Sequence, residues 1–314
     1  MTGNRRAFLA ALTLPMIAAR ASAAELTRLR VGAIAITDCA PFFAALQQGS
    51  FASNGLDVVT ESETGGALGI PAVVAGAYDI VYTNLPSALL AIQQGIDLRF
   101  IAGGSPLNPP DTTGLLIRHG DAMRTGKDFE GKVIGINDTR GLQWMYARGW
   151  IKATGGDQDK VTYRAVSFPQ MSDAVKNKYV DGIIPSEPFL SLNRSDPTLD
   201  LIASPGRTVF PKGRVAAWVV SGDFATRHAD LVRKFVVAMD KGSQWVNANL
   251  NTPAFAQFIA GYTKLDVARV ATLAKGPTSV GISASDVRRM ADLMRANGLL
   301  TTAIDPVTKI AVPR

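Results

Sequence analysis

The chain has 314 residues, of which 47% are hydrophobic and 19% are charged, and its formal net charge at pH 7 is +7. This length is sufficient for a buried core and suggests two domains. The Lys and Arg residues are scattered among acidic residues, without a basic run, so no nucleic-acid partner is predicted.

Residues 1–23 have the order of a cleaved signal peptide. Arg5 and Arg6 precede an apolar run over residues 7–19, and small residues follow at the predicted cleavage point. The run is shorter than the roughly 20 apolar residues of a membrane anchor, and Pro15 interrupts it. The paired arginines also resemble a twin-arginine signal, with the general secretory route as the alternative. We therefore expect export to the periplasm.

The chain has a single cysteine, Cys39, so no intramolecular disulfide can form and the fold must depend on a hydrophobic core. Residue 24, directly after the predicted cleavage point, is alanine and not cysteine, so we expect no lipid attachment there. No later segment is an uninterrupted apolar stretch of transmembrane length. The sequence thus predicts a freely diffusing protein, which we expect to be a monomer.

From residue 29 onward, short β-rich runs alternate with turns and helical periods, which is typical of an α/β protein. The first series predicts strands over residues 29–36, 57–61, 80–82 and 98–102, and helices over 42–48, 67–75 and 86–94. The second series predicts strands over residues 133–136, 161–165 and 182–184, and a helix over 141–154. The rest of the chain is mostly helical, with a last helix over residues 286–296.

Two further β-like runs, residues 113–117 and 216–220, flank the second series. We interpret them as crossing strands that join two lobes. The helical tail predicts no strands of its own, so it must pack on an existing sheet, for which the first lobe is the natural host. The predicted domains are lobe 1, residues 24–117 and 218–314, and lobe 2, residues 118–217.

Eight short blocks together resemble a known family. In chain order they are Asp38-x-x-Pro41-Phe42-Phe43-Ala44, Gly49-x-Phe51, Gly55-Leu56-Asp57-Val58, Gly65-Gly66, Phe129-Glu130-Gly131-Lys132-Val133-Ile134-Gly135, Phe168-Pro169-Gln170-Met171, Val180-Asp181-Gly182 and Glu187-Pro188-Phe189. This set resembles the nitrate/sulfonate/taurine and thiamine-precursor (NMT1-like) family of ABC-transporter substrate-binding proteins. The resemblance implies a type II periplasmic-binding-protein fold, in which two α/β lobes are joined by two crossover strands. It also implies a small-molecule ligand in the cleft and an ABC permease in the inner membrane as partner.

Ligands of open α/β sheets bind outside the carboxyl ends of the strands, so the residues that follow each strand are the candidate site. Asp38 and Phe42 come after the first strand. Asp38 either accepts a hydrogen bond from the ligand or caps the next helix. Thr64, Gly65 and Gly66 either bind an anion through backbone N–H groups or form a plain turn. Asn84 either contacts the ligand or caps the helix that follows it.

In the second lobe Thr139, Arg140 and Gly141 lie between a strand and a helix. The resemblance implies small residues there, which bind the ligand through hydroxyls and backbone amides. Arg140 departs from that pattern, and it either clamps a ligand carboxylate or is an exposed loop residue. Phe168 and Trp218 either pack on apolar parts of the ligand or belong to the core.

Glu187 has the strongest single position, because the Glu187-Pro188 block ends a buried strand at the cleft. A carboxylate there would pair with an amine or ring N–H of the ligand, as the resemblance to the taurine-type branch implies. Together, Arg140 and Glu187 would favour a taurine-like sulfonate or another small organic anion or zwitterion. The alternatives are a pyrimidine or thiamine precursor, nitrate, and a sensing role that serves a signalling receptor instead of an importer.

The sequence predicts no catalysis. Its two histidines, His119 and His228, do not have the spacing of metal ligands. No dinucleotide-binding fingerprint and no phosphate-binding loop is present. One cysteine cannot build the cysteine-rich iron site of the eukaryotic relatives that make the thiamine pyrimidine. We therefore expect a binding protein with no metal and no cofactor.

Overall fold

The computed structural model describes residues 25–63, 69–104, 106–107, 112–273 and 276–311. The predicted signal peptide and the candidate residues Thr64, Gly65 and Gly66 lie outside the described residues. The strands are β1 (Thr27–Ile34), β2 (Leu56–Glu63), β3 (Ile80–Asn84), β4 (Leu98–Gly103), β5 (Pro106–Leu107), β6 (Leu115–Arg118), β7 (Val133–Ile136), β8 (Thr162–Ala165), β9 (Gly182–Ile183), β10 (Leu199–Ala203), β11 (Gly213–Arg214) and β12 (Ala216–Ser221). The helices are α1 (Ala40–Gln47), α2 (Gly69–Val74), α3 (Leu85–Gln93), α4 (Leu142–Ala153), α5 (Met171–Lys176), α6 (Phe189–Arg194), α7 (Pro205–Val209), α8 (Gly222–Arg227), α9 (Ala229–Asn249), α10 (Pro253–Thr263), α11 (Val267–Ala271) and α12 (Ala284–Ala296).

Two five-stranded sheets have the same strand arrangement. The first has the order β2-β1-β3-β12-β4 and the second the order β8-β7-β9-β6-β10. In each sheet four strands are parallel, and one strand, β12 or β6, runs antiparallel between its two neighbours. Each antiparallel strand is the one that a crossing between the lobes delivers. The predicted α/β fold with two lobes is therefore the fold of the chain.

Most predicted elements recur with ends that differ by a few residues, and residues 133–136 coincide with β7. The edge strand β10 and the short helices α5, α6 and α7 have no counterpart among the predicted elements, because their few apolar residues do not establish a period. The predicted lobe boundary after residue 117 falls inside β6, whose residues Leu116 and Ile117 pair with β9 of the second sheet. The boundary after residue 217 likewise falls inside β12 of the first sheet.

The two crossings between the sheets pair with each other. Strands β5 and β11 form a two-stranded antiparallel sheet in which Gly213 lies opposite Leu107, and Arg214 opposite Pro106. The Arg214 side chain is buried. It donates hydrogen bonds to the Gly104 carbonyl oxygen, and to the carbonyl and hydroxyl oxygens of Ser279 at 2.9 and 2.7 Å. Arg214 thereby fixes both crossings to the C-terminal part of the first lobe.

The tail packs on the first lobe through α9. Its inward face contributes the fully buried Phe235, whose ring centroid lies 5.2 Å from that of Phe51 and 5.7 Å from that of Trp218. At Gly242, α9 approaches α1 so closely that an added Cβ would lie 2.0 Å from the Pro41 carbonyl oxygen. Among the described residues, no helix has both the length and the apolar character needed to cross a membrane.

Replacing Gly242 with alanine tests this close approach. The new methyl group meets backbone atoms of α1, so Gly242→Ala should lower the free energy of unfolding by about 1–3 kcal/mol, as overpacking does. Gly261→Ala is the matched control, because Gly261 lies in α10 with nothing within 4 Å of an added Cβ. There, helix propensity should stabilise the protein by about 1 kcal/mol. Urea unfolding that moves both variants in the same direction would contradict the packing of α9 on α1.

Candidate functional site

A cleft lies where the parallel strands of both sheets end. It contains about 1150 Å³ of space not filled by atoms, including its opening to solvent. First-lobe residues that follow β1 or end β3 line one side, and second-lobe residues that follow β7, β8 and β9 line the other. The polar side chains of its wall are Thr37, Asp38, Tyr82, Asn84, Thr112, Thr113, Asn137, Gln143, Tyr146, Ser186, Glu187 and Thr278.

The first-lobe wall contains an acid held by a tyrosine. Asp38 lies in a short 3-10 helix directly after β1, and the Tyr82 hydroxyl in β3 donates a hydrogen bond to its Oδ2 atom. Burial raises the pKa of Tyr82 well above its ordinary value, and the neighbouring Asp38 raises it further. Tyr82 therefore remains protonated, so its hydroxyl can donate to the Asp38 carboxylate.

The second-lobe wall contains a buried acid at the start of α6. Only 2% of Glu187 is exposed. Its Oε1 accepts a hydrogen bond of 2.7 Å from the Ser191 hydroxyl, and its Oε2 accepts one of 3.2 Å from the Ser191 backbone N–H. Burial raises the pKa of Glu187 to about 7, although the bonds from Ser191 oppose that rise. An additional hydrogen-bond donor beside Glu187 would stabilise the charged form of this carboxyl and lower its pKa again.

Two polar atoms of the second-lobe wall have no hydrogen-bond partner among the described residues. They are the Tyr146 hydroxyl, in a side chain with no exposed surface, and the Oδ1 atom of Asn137. Burial raises the pKa of Tyr146, and Asp38 across the cleft contributes to that rise. Since buried polar atoms are nearly always paired in native proteins, these two atoms mark positions where a bound molecule can complete the bonding.

The ionisable carboxyl groups that line the described part of the cleft are those of Asp38 and Glu187. The described residues that line it include Asp38 and Glu187, and none of them is Lys, Arg or His. The remaining wall is largely aromatic and aliphatic, including Tyr82, Tyr146 and Phe168. Described side chains also provide no group of three or more His, Cys, Asp or Glu that could hold a metal ion. This part of the cleft can accept hydrogen bonds from a ligand more readily than it can neutralise an anion.

Four of the predicted site residues line the cleft, namely Asp38, Asn84, Phe168 and Glu187. The Asn84 amide has other partners as well: its Oδ1 caps α3 by accepting from the Ser87 N–H at 2.8 Å. The Phe168 ring stacks on that of Phe189, with centroids 6.2 Å apart. Asn84 and Phe168 therefore each line the cleft and also support their own lobe.

Phe42 and Trp218 lie in the hydrophobic core and do not line the cleft, which corrects the expected position of Phe42 and agrees with the core alternative for Trp218. Their ring centroids are 4.9 Å apart, and neither side chain has more than 1% of its surface exposed. Phe42 also packs against Phe51 and Phe235. The reason is that α1 turns Phe42 toward α9, while β12 is a central strand covered on both faces.

The loop after β7 also differs from expectation, since none of Thr139, Arg140 and Gly141 lines the cleft. Thr139 and Arg140 are exposed. The Arg140 backbone N–H donates to Asp138 Oδ1 at 3.0 Å, which turns the loop at this point. Of the two interpretations of Arg140, the structure agrees with the exposed loop residue. The Arg140 side chain does not reach the cleft, so it does not clamp a ligand carboxylate there.

Several residues of the wall are absent from the predicted set. Tyr146 and Gln143 lie on the inward face of α4, where Gln143 donates to the Ser186 hydroxyl at 2.9 Å. The strand-end rule omits them because they follow the loop by several residues. A polar residue on an otherwise apolar helix face was the available signal for Gln143. Tyr146 gives no such signal, since tyrosine at helical spacing is equally typical of a core.

The family model described as "NMT1-like family" matches residues 22–260, which is more than half of the chain. The chain belongs to the NMT1-like family. No curated protein matches the sequence of this NMT1-like protein. Its resemblance to that family, predicted from the eight sequence blocks, is thereby confirmed.

Solved structures share the fold of this NMT1-like protein at low sequence identity. The alkanesulfonate-binding protein SsuA from Xanthomonas axonopodis pv. citri, bound to MOPS, has a TM-score of 0.78 and 19% identity, over 92% of this chain and 99% of that one. The periplasmic nitrate-binding protein NrtA from Synechocystis PCC 6803 has a TM-score of 0.76 and 16% identity, over 91% and 86%. The Candida albicans CA3427 gene product, described as having the generic periplasmic binding protein fold, has a TM-score of 0.70 and 17% identity, over 90% and 94%. The predicted periplasmic-binding-protein fold is confirmed.

The buried carboxyl of Glu187 should make stability depend on pH. Because its pKa rises from the ordinary 4.5 to about 7 in the folded protein, Glu187 contributes stability that is complete below pH 4.5 and is lost as the pH rises to about 7. The free energy of unfolding of the wild type, relative to that of Glu187→Gln, should fall by up to about 1.4 kcal/mol per pH unit in this window. Urea unfolding at several pH values between 4.5 and 8 measures it.

Glu130→Gln is the matched control for this experiment. Glu130 is a half-buried acid of the same lobe, and hydrogen bonds from Asp157 and Lys160 lower its pKa. Its contribution to stability is therefore constant between pH 5 and 7. Stability curves that run parallel for the wild type and Glu187→Gln across that window would contradict the raised pKa of Glu187.

Proposed function

We propose that this protein is a periplasmic solute-binding protein that delivers a small solute to an ABC importer. Family membership, the two-lobed fold and a cleft lined from both lobes support this proposal. Two of the solved structures named above are described as binding proteins, one for alkanesulfonate and one for nitrate. The predicted export signal in residues 1–23 supports the periplasm as the location. We further propose that the protein acts as a monomer with a permease of the inner membrane as partner.

The proposed ligand carries N–H donors. The observation that carries this proposal is the buried carboxyl of Glu187 in a wall whose described charged residues are acids only. Asp38 and Asn137 add further acceptors, and the aromatic wall suits a flat ring. An amino-substituted heterocycle, such as a pyrimidine precursor of thiamine, meets all of these requirements. Nitrate has no donor for the acids and is disfavoured by their charge.

A taurine-like zwitterion is the second candidate. One specific observation favours it, namely the fold shared with an alkanesulfonate-binding protein bound to MOPS, which has an amine as well as a sulfonate. In this chain the ammonium group would meet Glu187. The sulfonate would then need donors from residues such as Gly65 and Gly66, which are outside the described part of the chain. A sensing role that serves a signalling receptor would use the same cleft and the same ligand.

Matched pairs of small molecules test the ligand class. We expect 4-aminopyrimidine to raise the thermal unfolding temperature more than pyrimidine, and taurine to raise it more than ethanesulfonate, because only the aminated members donate to Glu187. In Glu187→Gln the affinity for an aminated ligand should fall about tenfold or more, which is typical of losing a hydrogen bond to a charged group. Isothermal titration calorimetry measures the affinities, and Glu130→Gln serves as the control.

The same panel can contradict the proposal. If ethanesulfonate or nitrate binds as tightly as the aminated molecules, and if Glu187→Gln does not weaken that binding, the ligand class proposed for the cleft is wrong. If none of the five molecules alters the unfolding temperature, an N–H-bearing solute of this size is not the ligand.

The Tyr146 hydroxyl provides a second, independent test. Because this buried group has no partner in the described structure, Tyr146→Phe should leave the free energy of unfolding unchanged or slightly higher. The affinity for the aminated ligand should fall about threefold to tenfold, since one neutral hydrogen bond is lost. Tyr163→Phe is the matched control: the Tyr163 hydroxyl donates to the Gln158 carbonyl oxygen at 3.2 Å, within the second lobe. Tyr163→Phe should lower the free energy of unfolding and leave the affinity unchanged. If Tyr146→Phe instead lowers the free energy of unfolding and leaves the affinity unchanged, the Tyr146 hydroxyl is not part of the binding site.

A further inference from the structure

A carboxylate of the second lobe binds the first lobe beside the cleft. The Asp138 Oδ2 atom accepts a hydrogen bond of 3.0 Å from the Ser87 hydroxyl and one of 3.5 Å from the Asn84 side-chain amide. Asp138 follows β7, whereas Asn84 and Ser87 form the start of α3. All three side chains are buried, so water does not compete strongly for these bonds. The contact therefore joins the two lobes directly.

Neither Asp138 nor Ser87 lines the cleft. The other oxygen of Asp138 accepts from the Arg140 backbone N–H, so the carboxylate is bonded on both sides without any ligand. The Asn84 amide is similarly engaged, with its oxygen capping α3 and its nitrogen donating to Asp138. These groups hold the two lobes together through bonds that need no ligand, and of the three residues only Asn84 also lines the cleft.

The hydrogen bonds between Asp138 and the first lobe require a residue without a side chain at position 141. An added Cβ at Gly141 would lie 2.5 Å from Asp138 Oδ2 and 3.0 Å from the Asn84 amide nitrogen. Its φ of −97° suits any residue, so the backbone itself does not require glycine here. The absence of a side chain at residue 141 therefore serves the approach of the two lobes.

A second contact between the lobes lies elsewhere on the rim of the cleft. The Thr37 backbone N–H, directly after β1, donates to the Glu187 carbonyl oxygen at 3.1 Å. That N–H belongs to the first lobe and its acceptor to the second, so the bond exists only when the lobes are close. Hydrogen exchange of the Thr37 amide consequently reports lobe closure, at a position that neither Asp138 nor Ser87 touches.

We propose that Asp138 is a positioning residue for ligand binding, which stabilises the closed arrangement of the lobes through Ser87 and Asn84. This inference rests on the proposed function insofar as closure serves a ligand. Closure brings Asp38 and Tyr82 of the first lobe opposite Glu187 and Tyr146 of the second. Asp138 thereby increases affinity by making the closed form more populated, because less of the binding energy is spent on closing the lobes.

Three variants remove the contact in different ways. Asp138→Ala removes the acceptor, and Ser87→Ala removes one donor while leaving the backbone N–H that Asn84 caps. Gly141→Ala retains both groups and places a methyl group between them. Asp159→Ala is the control, since Asp159 is an exposed acid of the same lobe that pairs with Arg148.

Hydrogen–deuterium exchange of the purified protein without ligand decides the proposal. Exchange of the Thr37 amide should accelerate about tenfold in Asp138→Ala, which corresponds to losing a hydrogen bond to a charged group. Ser87→Ala and Gly141→Ala should also accelerate exchange of the Thr37 amide. The Ser87→Ala/Asp138→Ala double variant should exchange no faster than Asp138→Ala alone. Asp159→Ala should have no effect. Unchanged exchange at Thr37 in Asp138→Ala and Gly141→Ala would overturn the proposal, even if α3 exchanges faster locally.

Titration with 4-aminopyrimidine separates this inference from the proposed function. If the wild type binds 4-aminopyrimidine, the affinity should fall by a similar factor in all three variants. None of the substituted residues, Ser87, Asp138 and Gly141, lines the cleft. An unaltered affinity together with faster Thr37 exchange would overturn the role in ligand binding. If 4-aminopyrimidine does not bind the wild type, the proposed ligand class fails, while the exchange at Thr37 still decides whether Asp138 holds the lobes closed.

Discussion

Strands β5 and β11 join the two crossings by backbone hydrogen bonds, with Arg214 bonded to Gly104 and Ser279 beside them. Each crossing leads into a strand in the interior of a sheet, β6 in the second and β12 in the first. This paired connection limits how the lobes can move, since both crossings must bend together. It also directs the carboxyl ends of both sets of parallel strands toward one cleft, where polar loops from both lobes can meet a ligand.

The chemistry of the cleft follows from what burial does to its acids. Glu187 and Asp38 approach the same space from opposite lobes, together with Tyr82 and Tyr146. A buried carboxyl keeps its charge only when donors compensate for the lost water, and Ser191 compensates in part for Glu187. A ligand with N–H donors would supply the rest. The closed conformation, the raised pKa and the unpaired Tyr146 hydroxyl thus agree with a site that is completed by binding.

The candidate site was predictable where it depends on strand ends. Asp38, Asn84 and Glu187 follow or end buried strands, and the rule that ligands bind at such ends places all three at the cleft. Phe42 in α1 and Trp218 inside β12 face the core, and the sequence could not decide this because an aromatic residue looks the same whether it packs in the core or on a ligand. Tyr146 lies further along α4, and only the packing of that helix turns its hydroxyl inward.

The sequence by itself determined the α/β class, most of the strands and helices, and the family, since these depend on local periodicity and on short motifs. Only the tertiary structure decided which side chains meet. The loop after β7 illustrates this difference: its sequence offers Arg140 as the obvious ligand, yet the fold exposes Arg140 and places Asp138 against Ser87 of the other lobe. Such a contact joins residues about fifty positions apart, and it depends on how two separately formed lobes approach, which no local pattern encodes.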